Sequence, residues 1–269
     1  LLLSPAWPSY DGMVRLTGAL PIHVPVRRDN YHPDFDALEA HVTENTKAII
    51  LNTPNNPTGA VYTAEETKRL VDFAVKHDLW ILDDMIYSTL VWTDVGYTSP
   101  CAFEGGSGRT ITIGGWSKGW AMTGWRLGWI TGPSNVMDGV KVVNVSSATH
   151  VPTFLMPAAA KALSLKEEVQ EMKDAFAERR VLMHQGLSSL PGFVVPEPEG
   201  AFYILCDITG TGLTDIEFAH QALEHAQVQV IPGSLMKGGD GLIRISYATS
   251  IANIHEGVRR LRKWLESRS

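Results

Sequence analysis

The fold of this chain is constrained most by short, nearly unbroken runs of apolar and β-branched residues that recur with helical patterns between them. The runs are "LLLS", "LPIHVPV", "TKAIILN", "DLWILDD", "RTITIGG" and "RLGWITG". A strand buried on both faces reads as continuous apolar sequence rather than as alternation. Such strands separated by helices pair in parallel under two helical layers. One intervening segment, "TAEETKRLVDFAVKHD", is amphipathic and opens with Thr63 and Glu66 spaced as a capping box. We therefore expect an α/β fold with a mostly parallel central sheet and helices on both faces, forming a large domain over residues 1–160.

The pattern changes near Pro157. "MPAAAKALS" and "LKEEVQEMKDAFAERRVLMHQGLSSL" read as two successive helices, the second running from about 166 to 189. Ser164 and Glu167 are spaced as another capping box at their junction. The remainder alternates strands ("AFYILCDI", "VQVIPG", "GLIRISYA") with a helix opened by "TDIE" and a terminal helix. Ile251, Ile254, Val258, Leu261 and Leu265 form a three-to-four-residue stripe on that last helix. This predicts a smaller C-terminal α/β domain over 165–269, attached through the long helix.

Composition narrows the function classes. A chain of 269 residues with 44% apolar and 19% charged residues is ordinary for a globular protein. A net charge of −6 without a basic stripe argues against a nucleic-acid surface. No apolar run reaches the ~18 residues of a membrane span. Cys101 and Cys206 are too few for a disulfide framework, and the scattered histidines show no metal-like spacing, so a reducing cytoplasm is the default compartment. The opening "LLLSPAWP" has no methionine and reads as a strand entered in mid-fold, so we expect an N-terminal portion to lie upstream.

The residues that stand out chemically follow the strands. In "GGWSKGWAMTGWRLGW", Lys118 sits among glycines and tryptophans just past "TITIGG", at the edge where open α/β sheets keep their ligands. Apolar surroundings disfavour an ammonium and lower its pKa, leaving an amine able to attack a carbonyl and form a Schiff base. A snorkelling surface lysine is the bland alternative. Asp84 ends "DLWILDD" behind Asp83, with Tyr87 three residues on. Burying two such carboxylates requires a cationic partner, and a pyridinium nitrogen would be one. A helix cap or a surface ion pair would also account for them. "NTPNNPTG" holds its asparagines in a proline-fixed turn. Arg126 could clamp a phosphate, and Arg244, inside the apolar "LIRISYA", needs either an anionic ligand or a structural carboxylate.

Taken together, these motifs resemble the class I/II pyridoxal-phosphate-dependent aminotransferases, of fold type I and aspartate aminotransferase-like, along the whole chain. The resemblance places the family's N-P-T-G asparagine on Asn56 and its D-x-x-Y pair on Asp84 and Tyr87. Its cofactor-bearing lysine falls on Lys118, within S-K-x-x-x-M-T-G-W-R-x-G, and its phosphate arginine on Arg126. The R-x-S-x-A arginine that holds the substrate α-carboxylate falls on Arg244, and the aromatic residue stacked on the cofactor ring on Trp7. Trp7 and Asn56 also border the substrate on this reading. Many members carry a phosphate-binding serine where this chain has Gly115, which leaves Ser117 or backbone N–H groups to complete the phosphate cup. Further phosphate-binding residues, and a tyrosine lent by a partner subunit, belong to the portion expected upstream.

The implied cofactor is pyridoxal 5'-phosphate, in a homodimer sharing its active sites. The implied activity is transfer of an α-amino group from an amino acid to an oxo acid such as 2-oxoglutarate, of aspartate-type or broad specificity. Lys118 is the implied acid–base catalyst. A C–S β-lyase of the same fold and a non-catalytic aminotransferase-like domain of a regulator are the alternatives, because fold alone does not fix reaction type.

Overall fold

The computed structural model describes residues 1–268. Nine strands and eight α-helices are seen among them. The first part comprises β1 (Leu2–Ser4), α1 (Ser9–Leu16), β2 (His23–Pro25), α2 (Phe35–His41), β3 (Ala48–Asn52), α3 (Ala64–Lys76), β4 (Trp80–Asp84), β5 (Thr110–Gly115), β6 (Gly128–Thr131) and α4 (Ser134–Ser147). Then come α5 (Met156–Ala162), α6 (Lys166–Ser188), β7 (Tyr203–Asp207), α7 (Asp215–Ala226), β8 (Ile231–Pro232), β9 (Leu242–Ser246) and α8 (Ile251–Glu266).

Every apolar run that opened the sequence reading lies in one six-stranded sheet, ordered β2-β1-β3-β4-β5-β6. All neighbours pair in parallel except β6, which runs antiparallel to β5 at the edge. The register puts Asn52 beside Asp84, and Asp84 beside Ile113, so the carboxyl ends of β3, β4 and β5 finish level. A second sheet, β7-β9-β8, is antiparallel.

Packing explains where the elements lie. In α3, Leu70, Val71, Phe73 and Ala74 are buried against a core that includes Leu3, Val24, Ile49, Leu51 and Ile81. Its capping box forms as expected: Thr63 Oγ1 accepts from the Glu66 N–H, and the Glu66 carboxylate accepts from the Thr63 N–H. Thr214 and Glu217 repeat the device at α7. The box expected at Ser164 does not form. The Ser164 hydroxyl donates instead to the Lys161 carbonyl, and α6 starts without a side-chain cap. The tight link from α5 turns this serine back on its own helix. The expected stripe on α8 is largely buried, with Trp264 joining it against Leu187, Phe218 and Ile243.

The two sheets are stitched together near the end of β3. Gly59 (φ 76°) turns the chain so that its carbonyl accepts from the N–H groups of Glu199 and Gly200. A Cβ at this position would lie 2.8 Å from Pro198 Cβ, so the approach depends on glycine.

Candidate active site

The level strand ends and the stitched loop enclose a cavity of about 500 Å³ lined by Trp7, Asn56, Asp84, Tyr87, Ser117, Lys118 and Arg126. The structure thus brings seven of the sequence-selected residues to one place. Arg244 joins them through a hydrogen bond from its Nη1 to Asn56 Oδ1 at 2.8 Å.

Each position has a local cause. Asn52, the last residue of β3, accepts from the Asn56 N–H at 2.9 Å and donates to the Asp84 carbonyl at 3.0 Å. It thereby fixes the N-P-T-G turn against the end of β4. Within that turn Asn55 Oδ1 accepts from both the N–H and the hydroxyl of Thr58. Asp84 accepts from the Ile86 N–H and from the Tyr10 hydroxyl, the latter at 2.5 Å. Burial raises the pKa of Asp84, and these hydrogen bonds oppose the rise. Asp83 alternates to the opposite face of β4, fully buried, and accepts from the Tyr97 hydroxyl. It is neither a helix cap nor half of an ion pair. Burial lifts its carboxyl to about 6.

Lys118 is half-buried, and its pKa is lowered, first by burial and then by the nearby positive charges of Arg126 and Arg244. The rings around it are not those the sequence suggested. Trp116 and Trp120 turn their indole N–H groups to the carbonyls of Ala159 and Ala162, both on α5, and the aromatic ring facing Lys118 Nζ is Phe202, at 5.7 Å. Adjacent tryptophans in sequence turn towards α5, while Phe202 arrives from the turn just before β7. Among the described residues no carboxylate pairs with Lys118, Arg126 or Arg244. Arg126 donates only to the Thr123 carbonyl, and Arg244 lies over the Tyr203 ring at 4.7 Å.

Tyr10, Asn52, Thr123 and Tyr203 also line the cavity and escaped the sequence reading. Tyr10 stands three residues after Trp7 and packs edge-on against it, a spacing that puts both on one face of a helical turn. The Tyr203 hydroxyl is 3.1 Å from that of Tyr87. "GAFY" carries no local signal for it.

This donor set suits an anionic, aromatic ligand with an electrophilic carbon: cations and hydroxyls, a half-buried carboxylate, and an amine of lowered pKa within reach. The absent serine also has a steric reason. A Cβ on Gly115 would lie 2.8 Å from the Leu127 carbonyl oxygen, and one on Gly114 would lie 2.4 Å from the Trp129 ring.

Comparison with known proteins agrees. The sequence profile of the family "Aminotransferase class I and II" matches residues 1–261. An aspartate aminotransferase of Pyrococcus abyssi is 40% identical over an alignment of 273 positions, which spans all of this chain and 70% of that protein. An aromatic-amino-acid aminotransferase of Thermococcus litoralis is 41% identical, with the same coverage. The crystal structure of an aromatic aminotransferase from Pyrococcus horikoshii superposes with a TM-score of 0.96 at 38% identity, covering 99% of this chain and 73% of that one. Proteins of this family use pyridoxal phosphate, the kind of ligand that the cavity's chemistry suits. The chain belongs to the class I and II aminotransferases, and it is an amino-acid aminotransferase.

Proposed function

We propose that this chain transfers the α-amino group of an amino acid to an oxo acid such as 2-oxoglutarate, with Lys118 as its catalytic residue. The single observation that carries the reading is a pocket that holds an amine, a carboxylate and an arginine, with a second arginine hydrogen-bonded to its Asn56 and no ion pair among them. Residues 1–160 act as the cofactor-binding domain and 165–269 as the smaller domain, which contributes Tyr203 to the cavity wall and Arg244 to Asn56 beside it.

Pyridoxal 5'-phosphate, when bound, supplies the carbonyl that receives the amino group and a ring that takes up the electrons of the broken Cα–H bond. The chain's residues hold and direct that chemistry. Arg126 and Ser117 would hold the cofactor's phosphate. Asp84, its carboxylate fixed by Tyr10, would keep the ring nitrogen protonated. Asn56 and Tyr87 would donate to the phenolic oxygen, and Trp7 would hold the ring. Arg244 holds the substrate α-carboxylate, for which its planar fork is shaped. It gives up no carboxylate to do so, since among the described residues only the Asn56 amide oxygen accepts from it. Lys118, whose pKa is lowered by burial and by the positive charges of Arg126 and Arg244, would take the proton from Cα and later return it. The phosphate cup without a serine at 115 leans on Ser117 and on Thr123, which also lines the cavity.

We place the enzyme in the cytoplasm, in amino-acid biosynthesis, and read it as a homodimer that shares its active sites. Both cysteines are free. No described residue of α4 is buried, and Val142, Val143 and Val145 are exposed there. An aspartate-type or broad substrate range suits the relatives' names. Incubating the loaded protein with amino acids and 2-oxoglutarate tests the reaction. Glutamate should form in step with the new oxo acid; ammonia released without glutamate would mean elimination and would overturn the reading.

A further inference from the structure

The helix that brings Tyr10 to the cavity, with Trp7 just ahead of its N-cap, is poorly anchored by its own sequence. α1 has eight residues, starts from Pro8 without a side-chain cap, and buries only Tyr10. Isolated helices shorter than ~12–15 residues are marginal in water. Its first turn is tied back to the chain by the Tyr10 N–H, which donates to the Trp7 carbonyl at 3.1 Å. Contacts outside the helix therefore set where these two rings stand. One is the Tyr10 hydroxyl on Asp84.

The other is a relay that no family motif in the sequence announced. Ser4 Oγ, at the end of β1, lies 2.7 Å from His23 Nδ1, and His23 Nε2 lies 2.9 Å from Asp11 Oδ1. His23 and Asp11 are only about a quarter exposed, and Ser4 is buried. Arg15 Nε donates to the other Asp11 oxygen at 2.6 Å. In neutral His23, Nδ1 accepts from the Ser4 hydroxyl and the Nε2 proton goes to Asp11. In charged His23 both nitrogens donate, and the Ser4 hydroxyl turns to the Leu2 carbonyl at 3.3 Å. The relay thus survives either state of the imidazole. It runs from Ser4 on β1, through His23 on the edge strand β2, to Asp11, the residue that follows Tyr10.

We infer that His23 is a positioning residue for the cofactor site: gripped between Ser4 and Asp11, it sets the angle of α1 and so the placement of Trp7 on the ring and of Tyr10 on Asp84. This rests on the proposed assignment of Trp7 and Asp84 to the cofactor. The histidine itself lines a different hollow and touches no reacting atom.

The test uses the whole chain with His23→Leu, which removes both hydrogen bonds, and His23→Gln, whose amide can accept from Ser4 and donate to Asp11. In the cofactor-free protein, hydrogen exchange of the α1 amides should quicken in His23→Leu and return towards the parent rate in His23→Gln. Pyridoxal phosphate should dissociate from His23→Leu at roughly 10-fold higher concentration, the scale of one lost hydrogen bond to a charged group, with recovery in His23→Gln. Tyr10→Phe should shift cofactor affinity in the same direction, and the double variant should lose less than the sum. Unchanged α1 exchange and cofactor affinity in His23→Leu overturn the inference. So does a glutamine variant as weak as the leucine one, or strict additivity with Tyr10→Phe. A parallel Lys118→Ala arm separates the two claims. If that variant keeps the absorption band of lysine-linked cofactor, the site assignment fails and the inference with it. If it loses the band while His23→Leu behaves as the parent, only the inference fails.

Discussion

Two clusters of charge lie near the same stitched loop and are built on opposite principles. In the first, His32 donates to Glu66 at 2.8 Å and to Glu199 at 3.0 Å, and Arg27 adds a contact to Glu66. Glu199 Oε2 also accepts from the Val61 N–H, just beyond the N-P-T-G turn. Every charge there has a partner within the chain. In the cavity, Lys118, Arg126 and Arg244 have no carboxylate partner among the described residues, and Asp84 is hydrogen-bonded only by neutral groups. Lys118, Arg244 and Asp84 are half-buried and Arg126 is exposed, so these groups face solvent and leave their charge pairing open to a ligand. The clasp holds the structure; the cavity holds back its interactions.

Removing the cavity lysine should separate the two most sharply. Lys118→Ala is expected to lower transamination by roughly 10³–10⁴-fold, as loss of an acid–base group does. The melting temperature of the cofactor-free chain should barely move, because no partner is stranded. A large fall in that temperature would show Lys118 to be structural and erase the contrast. Asp84→Asn should follow with about 10²–10³-fold lower kcat, the scale of one lost electrostatic contact to a developing charge. Steady-state rates of the loaded variant check it, and activity near the parent's would remove Asp84 from the site.

The contrast also marks what could be read from the sequence. The parallel sheet was legible because runs such as "AIILN" and "WILDD" carry apolar residues on both faces, one buried and the other partly so, and the register of those two runs sets Asn52 beside Asp84. Lys118, Arg126 and Arg244 were legible as ions in apolar settings. Tyr10, Tyr203 and Phe202 were not, since their roles depend on distant segments meeting: Tyr10 with Asp84, Tyr203 with Tyr87, Phe202 with Lys118. Glu66 was visible as a helix cap, yet its contact with His32 spans 34 residues and leaves no periodic trace. The serine at 164 misled because its spacing fits a capping box while its hydroxyl finds a nearer carbonyl.

Cutting the clasp should do the reverse of cutting the cavity. His32→Leu strands Glu66 and Glu199 together and should cost about 2–3 kcal/mol of stability, below the ~3–5 of a fully buried pair because Glu199 is open to solvent. Chemical denaturation measures this; a loss within error of zero would mean that solvent already does the work of His32. Arg244→Lys should be smaller and confined to substrate binding. KM for the amino acid should rise roughly 10–100-fold, because a lysine cannot reproduce two parallel hydrogen bonds to a carboxylate, while stability stays close to the parent's.

The finest distinction is in pH. Burial works against a charge on His32, but its hydrogen bonds with Glu199 and Glu66 outweigh that and push its pKa from 6.5 up to about 9. Burial likewise works against a charge on Glu66, yet hydrogen bonds from His32 and Thr63 hold it at about 2, against an ordinary 4.5. Between pH 6.5 and 9 the folded chain therefore keeps a proton on His32 that the unfolded chain has released, so stability falls as pH rises. Below pH 4.5 the unfolded chain takes up a proton at Glu66 that the folded chain refuses, so stability falls as pH drops towards 2. The stability difference between the parent and His32→Leu should then be greatest from pH 4.5 to 6.5 and shrink on both sides. Denaturation midpoints measured from pH 5 to 9 check the alkaline limb. A difference that stays flat across that range would mean that His32 is neutral in the folded chain, and the clasp would then be a set of ordinary hydrogen bonds rather than a paired charge.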